Sequence, residues 1–205
     1  MSKIHFSGFG KGIAAGIWRD ACEEPVQLMN QVHGTTIVEV FELGTEPEAD
    51  ALVTRVPGLR IAVKTADCIP LVMADEGAGV AAAVHAGWRG LTADIIPKVL
   101  DRLASIGADM ARLKVLVGPS LGVECAEFSD PEHEIPAKFH WAIEGRRVNL
   151  NAIARRQLEE AGVQHIEWME ICTRCNTEWP SWRRTHADGR FFTWIELSSL
   201  APSHL

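Results

Sequence analysis

The stretch "AVKTADCIPLVMADEGAGVAAAVHAGWRG", Ala62–Gly90, holds two short apolar runs, Pro70–Asp75 and Gly79–Ala86, split by the turn-forming "DEGAG". Runs of this length around a Gly-rich break predict a β-hairpin. Cys68 ends the extended run that begins at Ala62, and His85 ends the next. Two strand-like segments that each finish on a soft, ionisable side chain admit three explanations: a metal site, a thiol nucleophile with its base, or two buried polar residues without a role.

Working outward, "TIVEVF" (Thr36–Phe41), "ALVT" (Ala51–Thr54), "LRIAVKTA" (Leu59–Ala66) and "LKVLVG" (Leu113–Gly118) have the β-branched content of strands. "HIEWMEI" and "RFFTWIEL" predict two more near the C-terminal end. In Leu91–Gly107 the apolar Leu91, Ile95, Ile96, Val99, Leu100 and Leu103 recur at helical spacing, and Pro97 is expected to kink that helix. Asn149–Gly162 predicts a second helix, capped by Asn149 or Asn151 and stopped at Gly162. Ser129–Gly145 reads as a loop. The order predicts an α/β fold of layered α+β type, with mixed β-sheets flanked by helices in one domain over residues 1–205. No Gly-rich phosphate loop joins a strand to a helix, which removes the common nucleotide folds.

The chain has 205 residues and a formal net charge of −7, which argues against a nucleic-acid or anionic-membrane partner, since both need a clustered basic surface. No run approaches the roughly 18 apolar residues of a membrane helix, and "MSKIHFSGFGKGI" lacks the apolar core of a signal peptide, so a cytoplasmic protein is expected. Five cysteines in such a chain read as thiols or metal ligands rather than disulfides. The sequence sets no oligomeric state.

His33, in "MNQVHGTTIVEV", precedes a Gly that permits a sharp turn. Together with Cys68 and His85 it sits at the end of an extended run, and in layered α/β folds strand ends line the pocket. Two His and a Cys suit zinc, and three protein ligands with an open fourth position mark a catalytic rather than a structural zinc. The same Cys68 and His85 would equally serve a cysteine hydrolase. Asp67 is placed to accept an imidazole N–H or a water proton, or to cap a turn, and Gln31 lies on the same face as His33. Cys172 and Cys175 form a lone C-x2-C that, without a second pair, reads as two ordinary thiols. Cys125 follows "GPSLG", a turn with exposed backbone amides that could bring it near the pocket. The tryptophans Trp88, Trp141, Trp168, Trp179, Trp182 and Trp194 read as core or interface, with one or two free to stack on a planar substrate.

"NQVHG", "ADALVT", "KTADCIPLV", "AAVHAGWRG" and "VGPSLGVECAEF" run in one order over about Met29–Phe128, and in that order the chain resembles the laccase-domain family. That family carries the names multicopper polyphenol oxidase, purine nucleoside phosphorylase and peptidoglycan editing factor. The resemblance implies a cysteine-hydrolase-like α-β-β-α fold and a zinc held by His33, Cys68 and His85. It also implies phosphorolysis of adenosine, inosine and methylthioadenosine, with adenosine deamination as a second activity. Arg89 or Lys64 would then offset phosphate charge, with Lys64, Gln31 and Cys125 as the substrate-side contacts and Asp67 beside the reacting groups. Copper fits less well, because a blue-copper site adds a weak axial ligand and one such site does not make a multicopper enzyme. A cysteine-dependent hydrolase or deamidase, and an oxidase or cell-wall editing role, are the alternatives. The likeness departs at the N-terminal side, where the family has a longer region with a Gly-Gly-x-Ser type turn, and at "EWPSWRR", where it prefers two phenylalanines.

Overall fold

The computed structural model describes residues 3–6, 8–9, 11–22 and 24–198. The expected hairpin forms in full. Strands β6 (Ile69–Asp75) and β7 (Val80–Ala86) pair antiparallel from Ile69 opposite Ala86 to Asp75 opposite Val80. Every residue of both strands is buried, as expected for continuous apolar runs covered on both faces. Around this hairpin, β3 (Ile37–Glu39), β4 (Ala51–Thr54), β8 (Lys114–Val117) and β11 (His165–Trp168) complete a six-stranded mixed sheet. Its order is β11-β8-β6-β7-β4-β3, with parallel pairs at the two edges only.

A second, four-stranded antiparallel sheet holds β1 (Lys3–Phe6), β2 (Ile13–Trp18), β12 (Phe191–Leu197) and β5 (Ile61–Thr65) in the order β1-β2-β12-β5. The pleat decides how the layers stack. Val72, Ala74, Ala81 and Ala83 point toward Ile13, Ile61, Val63 and Ile195 of the four-stranded sheet. Leu71, Met73, Ala82 and Val84 point the other way, toward the helices α1 (Trp88–Thr92), α2 (Ile95–Ser105) and α4 (Leu150–Glu160). This is the expected class of mixed sheets flanked by helices, with one core between the sheets and another under the helices. Short elements fill the remainder: α3 (Pro131–Glu134), the hairpin of β9 (Ile143–Glu144) with β10 (Arg147–Val148), and α5 (Trp182–Thr185). No helix among the described residues is long and apolar enough to cross a membrane.

The structure departs from the sequence reading in four places. The helix expected over Leu91–Gly107 is two helices, because Asp94 takes a left-handed φ of 64° between α1 and α2. Pro97 therefore falls in the first turn of α2, where its missing N–H had no helical partner to lose, and no kink results. The Ser129–Gly145 loop contains α3, a 3-10 turn at Ala137–Ala142 and β9. The strands β1 and β2 lie in a Gly- and Ala-rich stretch with little β-branched signal; they pair with each other, and β2 joins the sheet through β12, which is remote in sequence. Trp18, on β2, stacks on Trp194 of β12 at 5.3 Å between ring centroids.

Asp75 closes the hairpin. It is 1 % exposed and accepts hydrogen bonds from the amides of Gly77 (2.9 Å) and Asp109 (2.8 Å) and from the Arg112 guanidinium (2.9 Å). Burial would raise its pKa, but the Asp109 amide and Arg112 outweigh that and hold the carboxyl below its usual range. A depressed folded-state pKa contributes stability that is present above the unfolded value of about 4 and lost as pH falls through the folded value. Asp75→Asn is expected to lower urea stability at about pH 7 by about 1–3 kcal/mol and to lose less than the wild type between about pH 5 and about pH 3. Parallel acid losses in the two proteins would contradict this.

Candidate metal centre

The hairpin register accounts for half of the site. With Ile69 opposite Ala86, the preceding residue Cys68 falls beside Gly87, and His85 lies one step away on β7. The adjacent pair repeats the device: Ala51 of β4 lies opposite Val84, so Asp50 arrives beside His85, whose amide donates to the Asp50 carbonyl at 2.8 Å. His33 comes from the loop before β3. It adopts a φ of 61°, a backbone conformation uncommon outside glycine. The sharp turn is thus at His33 itself rather than at Gly34.

Asp50 holds the turn in place. Its side chain has no exposure, and its Oδ1 accepts from the His33 amide at 2.9 Å and from His85 Nδ1 at 2.8 Å. Oδ2 accepts from the Gly34 amide at 2.6 Å. Two successive amides cradling one carboxylate form an anion nest, and the third bond commits His85 Nδ1, so that Nε2 faces the site. His33 Nε2 lies 3.9 Å from Cys68 Sγ, and the two imidazoles meet edge to face at 4.8 Å between centroids. One donor atom each from His33, Cys68 and His85 lies within 4.8 Å of the others. Tetrahedral zinc with ordinary bond lengths places sulfur and nitrogen ligands roughly 3.5 Å apart, so only small side-chain movements separate this trio from a closed coordination set.

Gly87 keeps that space open. A Cβ there would lie 2.8 Å from His33 Cδ2 and 3.4 Å from both Cys68 Sγ and His85 Cε1. Gly90 does the same for the backbone, since a Cβ on it would come within 2.5 Å of the Gly34 carbonyl. The "HAGWRG" motif thus supplies one ligand and two positions without side chains.

The three donors open into a cavity of about 450 Å³, within the usual range for small-molecule sites. It lies where the chain crosses from β5 in one sheet to β6 in the other, through Ala66, Asp67 and Cys68. Gln31, Lys64 and Asp67 line it, as do Trp88 and Phe128. Gln31 is tied to the Lys64 backbone by two hydrogen bonds of 2.9 and 3.0 Å, which hold the His33 loop to the end of β5. Lys64 Nζ pairs with Glu46 at 3.2 Å.

Among the described residues Asp67 has no imidazole partner. Its φ is 92°, and its carboxylate accepts from Thr173 Oγ1 and from the Arg183 amide, each at 2.6 Å. Asp50, in the quoted "ADALVT", takes the imidazole-orienting place that sequence reasoning gave to Asp67. Arg89 does not line the cavity, and its guanidinium lies over the Trp88 ring at 4.3 Å. Cys125 also lies off the cavity wall, 3.4 Å from Cys175. The cavity's further cations are Arg183 and Arg190, which with Trp182 come from the C-terminal "SWRRTHADGR".

Burial opposes ionisation of Cys68, but hydrogen bonds and charge from His33 and His85 outweigh it and bring the thiol down to about 6. Burial likewise disfavours a charged His85, yet Asp50 and Cys68 raise it to about 9. In metal-free protein, alkylation of Cys68 by iodoacetamide is therefore expected to reach half its maximal rate near pH 6, well below the value of about 8.5 for an ordinary thiol. A midpoint at the ordinary value would contradict the thiolate–imidazolium arrangement.

A family model described as multi-copper polyphenol oxidoreductase laccase matches residues 15–198. Among curated proteins, a purine nucleoside phosphorylase of Streptomyces coelicolor is 35 % identical over 184 residues, covering 83 % of this chain and 75 % of its own. A purine nucleoside phosphorylase of Deinococcus radiodurans is 38 % identical over 73 % of this chain, which spans 60 % of that relative's length. An adenosine deaminase from an unknown prokaryotic organism is 37 % identical over 71 % of this chain and 61 % of its own. Among solved structures, YlmD from Geobacillus stearothermophilus superposes with a TM-score of 0.80 at 22 % identity over 94 % of each chain, a likeness of fold.

Proposed function

The chain belongs to the multi-copper polyphenol oxidoreductase laccase family, and we propose that it is a zinc-dependent purine nucleoside phosphorylase with adenosine deaminase activity. The observation that carries this reading is the donor set His33, Cys68 and His85, ordered by Asp50 at the base of a cavity with cationic and aromatic walls. Relatives with phosphorylase and deaminase names support it. The donors suit zinc: mixed nitrogen and sulfur, three in number, with a fourth position open to the cavity.

Bound zinc would supply Lewis acidity toward an oxygen of phosphate or water. The chain's own residues do the remainder. In phosphorolysis a phosphate oxygen bonds to the ribose C1′, the glycosidic C–N bond breaks, and the base leaves with that electron pair and takes up a proton. Lys64, Arg183 and Arg190 place positive charge along the cavity for the phosphate, and guanidinium groups bind its oxygens in pairs. Arg183 already donates to the Glu127 carbonyl at 2.9 Å, which fixes its fork. Trp88, Phe128 and Trp182 offer flat apolar surface to a purine. Asp50 stays ionised and keeps the two imidazoles in register throughout.

One observation favours a second reading. Cys68 is poised as a thiolate between two imidazoles, as a cysteine-dependent hydrolase or deamidase would need. Two measurements separate the readings. Adenosine with phosphate is expected to yield adenine and ribose 1-phosphate, and omission of phosphate to abolish adenine while leaving inosine formation intact. A chelator is expected to inhibit reversibly. Adenine formed at the same rate without phosphate, or full activity in metal-free protein, would overturn the proposal.

A further inference from the structure

A second cluster of donors lies outside this cavity. Cys125 ends the 3-10 turn Val123–Cys125 that follows β8, and Cys172 and Cys175 stand in the turn after β11. The fold brings the lone C-x2-C pair against a third thiol about 50 residues away in the chain, with the three sulfurs within 4.8 Å of one another. Cys125 Sγ and Cys175 Sγ are 3.4 Å apart, which brackets, together with the outer limit of 4.8 Å, the sulfur–sulfur spacing of about 3.8 Å expected around a tetrahedral thiolate-bound zinc. A disulfide would need about 2.05 Å.

We propose that Cys125, Cys172 and Cys175 form a second metal site, which binds a thiophilic closed-shell ion, zinc(II) or copper(I), through three thiolates.

The surroundings of Cys172 suit a thiolate. The amides of Gly122, Arg174 and Cys175 converge on Cys172 Sγ, the first at 3.3 Å. Donors aimed at a sulfur favour its anionic form, the form that binds metal. Gly122 permits the approach, because a Cβ on it would lie 3.1 Å from Cys172 Cβ. Three thiolates with a divalent ion carry a residual negative charge, and the Arg174 side chain reaches Cys125 to meet it. The backbone is already held in place: Ser120 bridges Cys172 in parallel register, and the Arg184 guanidinium donates to the carbonyls of Thr173 (2.6 Å) and Arg174 (3.0 Å). Cys125 is buried and Cys175 exposed, so the ion would sit at the surface with its outer side open to water.

The position gives such an ion a structural consequence. Thr173, next to Cys172, donates to Asp67, whose other oxygen holds the Arg183 amide. An ion joining Cys125 to the 172–175 turn would clip the strand-end loop after β8 to the segment that supplies Trp182 and Arg183 to the cavity wall.

The test uses reduced, metal-free Cys68→Ala protein, in which the His33 centre has lost its sulfur, alongside the wild type. Each is titrated with zinc(II), and with copper(I) under anaerobic conditions, and the thiols are followed by alkylation and mass spectrometry. The expected result is one bound equivalent in Cys68→Ala, with alkylation of Cys172 and Cys175 slowed about tenfold or more by at least one of the two ions. Adding Cys172→Ser with Cys175→Ser should remove that equivalent. The wild type should show the same protection, so the outcome does not hang on how the variant folds. Unchanged alkylation with both ions, or a Cys125–Cys175 disulfide formed in the presence of the ion, would overturn the proposal.

Discussion

The site depends on one buried carboxylate. Asp50 has no solvent contact, and such a group is tolerable only when its oxygens are fully engaged. Here the partners are His85 Nδ1 and the successive amides of His33 and Gly34. Burial raises the pKa of Asp50, but these donors outweigh it, so the net shift is downward and the carboxylate stays ionised. In return, Asp50 selects the tautomer of one imidazole and holds the other on a strained, left-handed turn. Removing it would leave the buried His85 Nδ1 without its acceptor, at about 1–3 kcal/mol, and would free the His33 and Gly34 amides, before any loss of metal affinity.

The remaining geometry is sheet geometry. Antiparallel register puts Cys68 beside Gly87 and Asp50 beside His85, so three of the four key residues are placed by strands whose side chains are buried on both faces. A one-residue slip in either pair would turn the core side chains to the wrong face, which is why the register is secure. The cavity then opens where the chain leaves one sheet for the other. Asp67, at that crossing, spends its carboxylate on the C-terminal segment, and this brings Arg183 and Trp182 to a site built mostly from the first half of the chain.

Much of this was legible in the sequence. The two apolar runs around "DEGAG" gave the central hairpin, and His33, Cys68 and His85 stood out as soft donors at the ends of extended runs. What escaped was long-range. Asp50 carries no local signal, because the partners of its side chain lie in the His33 loop and on β7 rather than beside it in sequence. Arg89 looked available for phosphate, but the adjacent Trp88 ring takes its guanidinium. The lone C-x2-C looked incomplete because its third thiol arrives from a different turn. β1 and β2 lacked the β-branched signal; they pair with each other, and β2 is tied into the sheet by the distant β12. Helix continuity failed at Asp94, where a single left-handed residue broke an otherwise regular apolar period.

The central claim is that Asp50 orders the two imidazoles for metal binding. Its most direct test is the zinc concentration that protects Cys68 from iodoacetamide in Asp50→Asn protein compared with the wild type, a readout specific to this centre. An asparagine cannot accept from all three donors as a carboxylate does, so zinc affinity should fall about 10- to 100-fold. A folded Asp50→Asn protein whose Cys68 is protected at the wild-type zinc concentration would contradict the account.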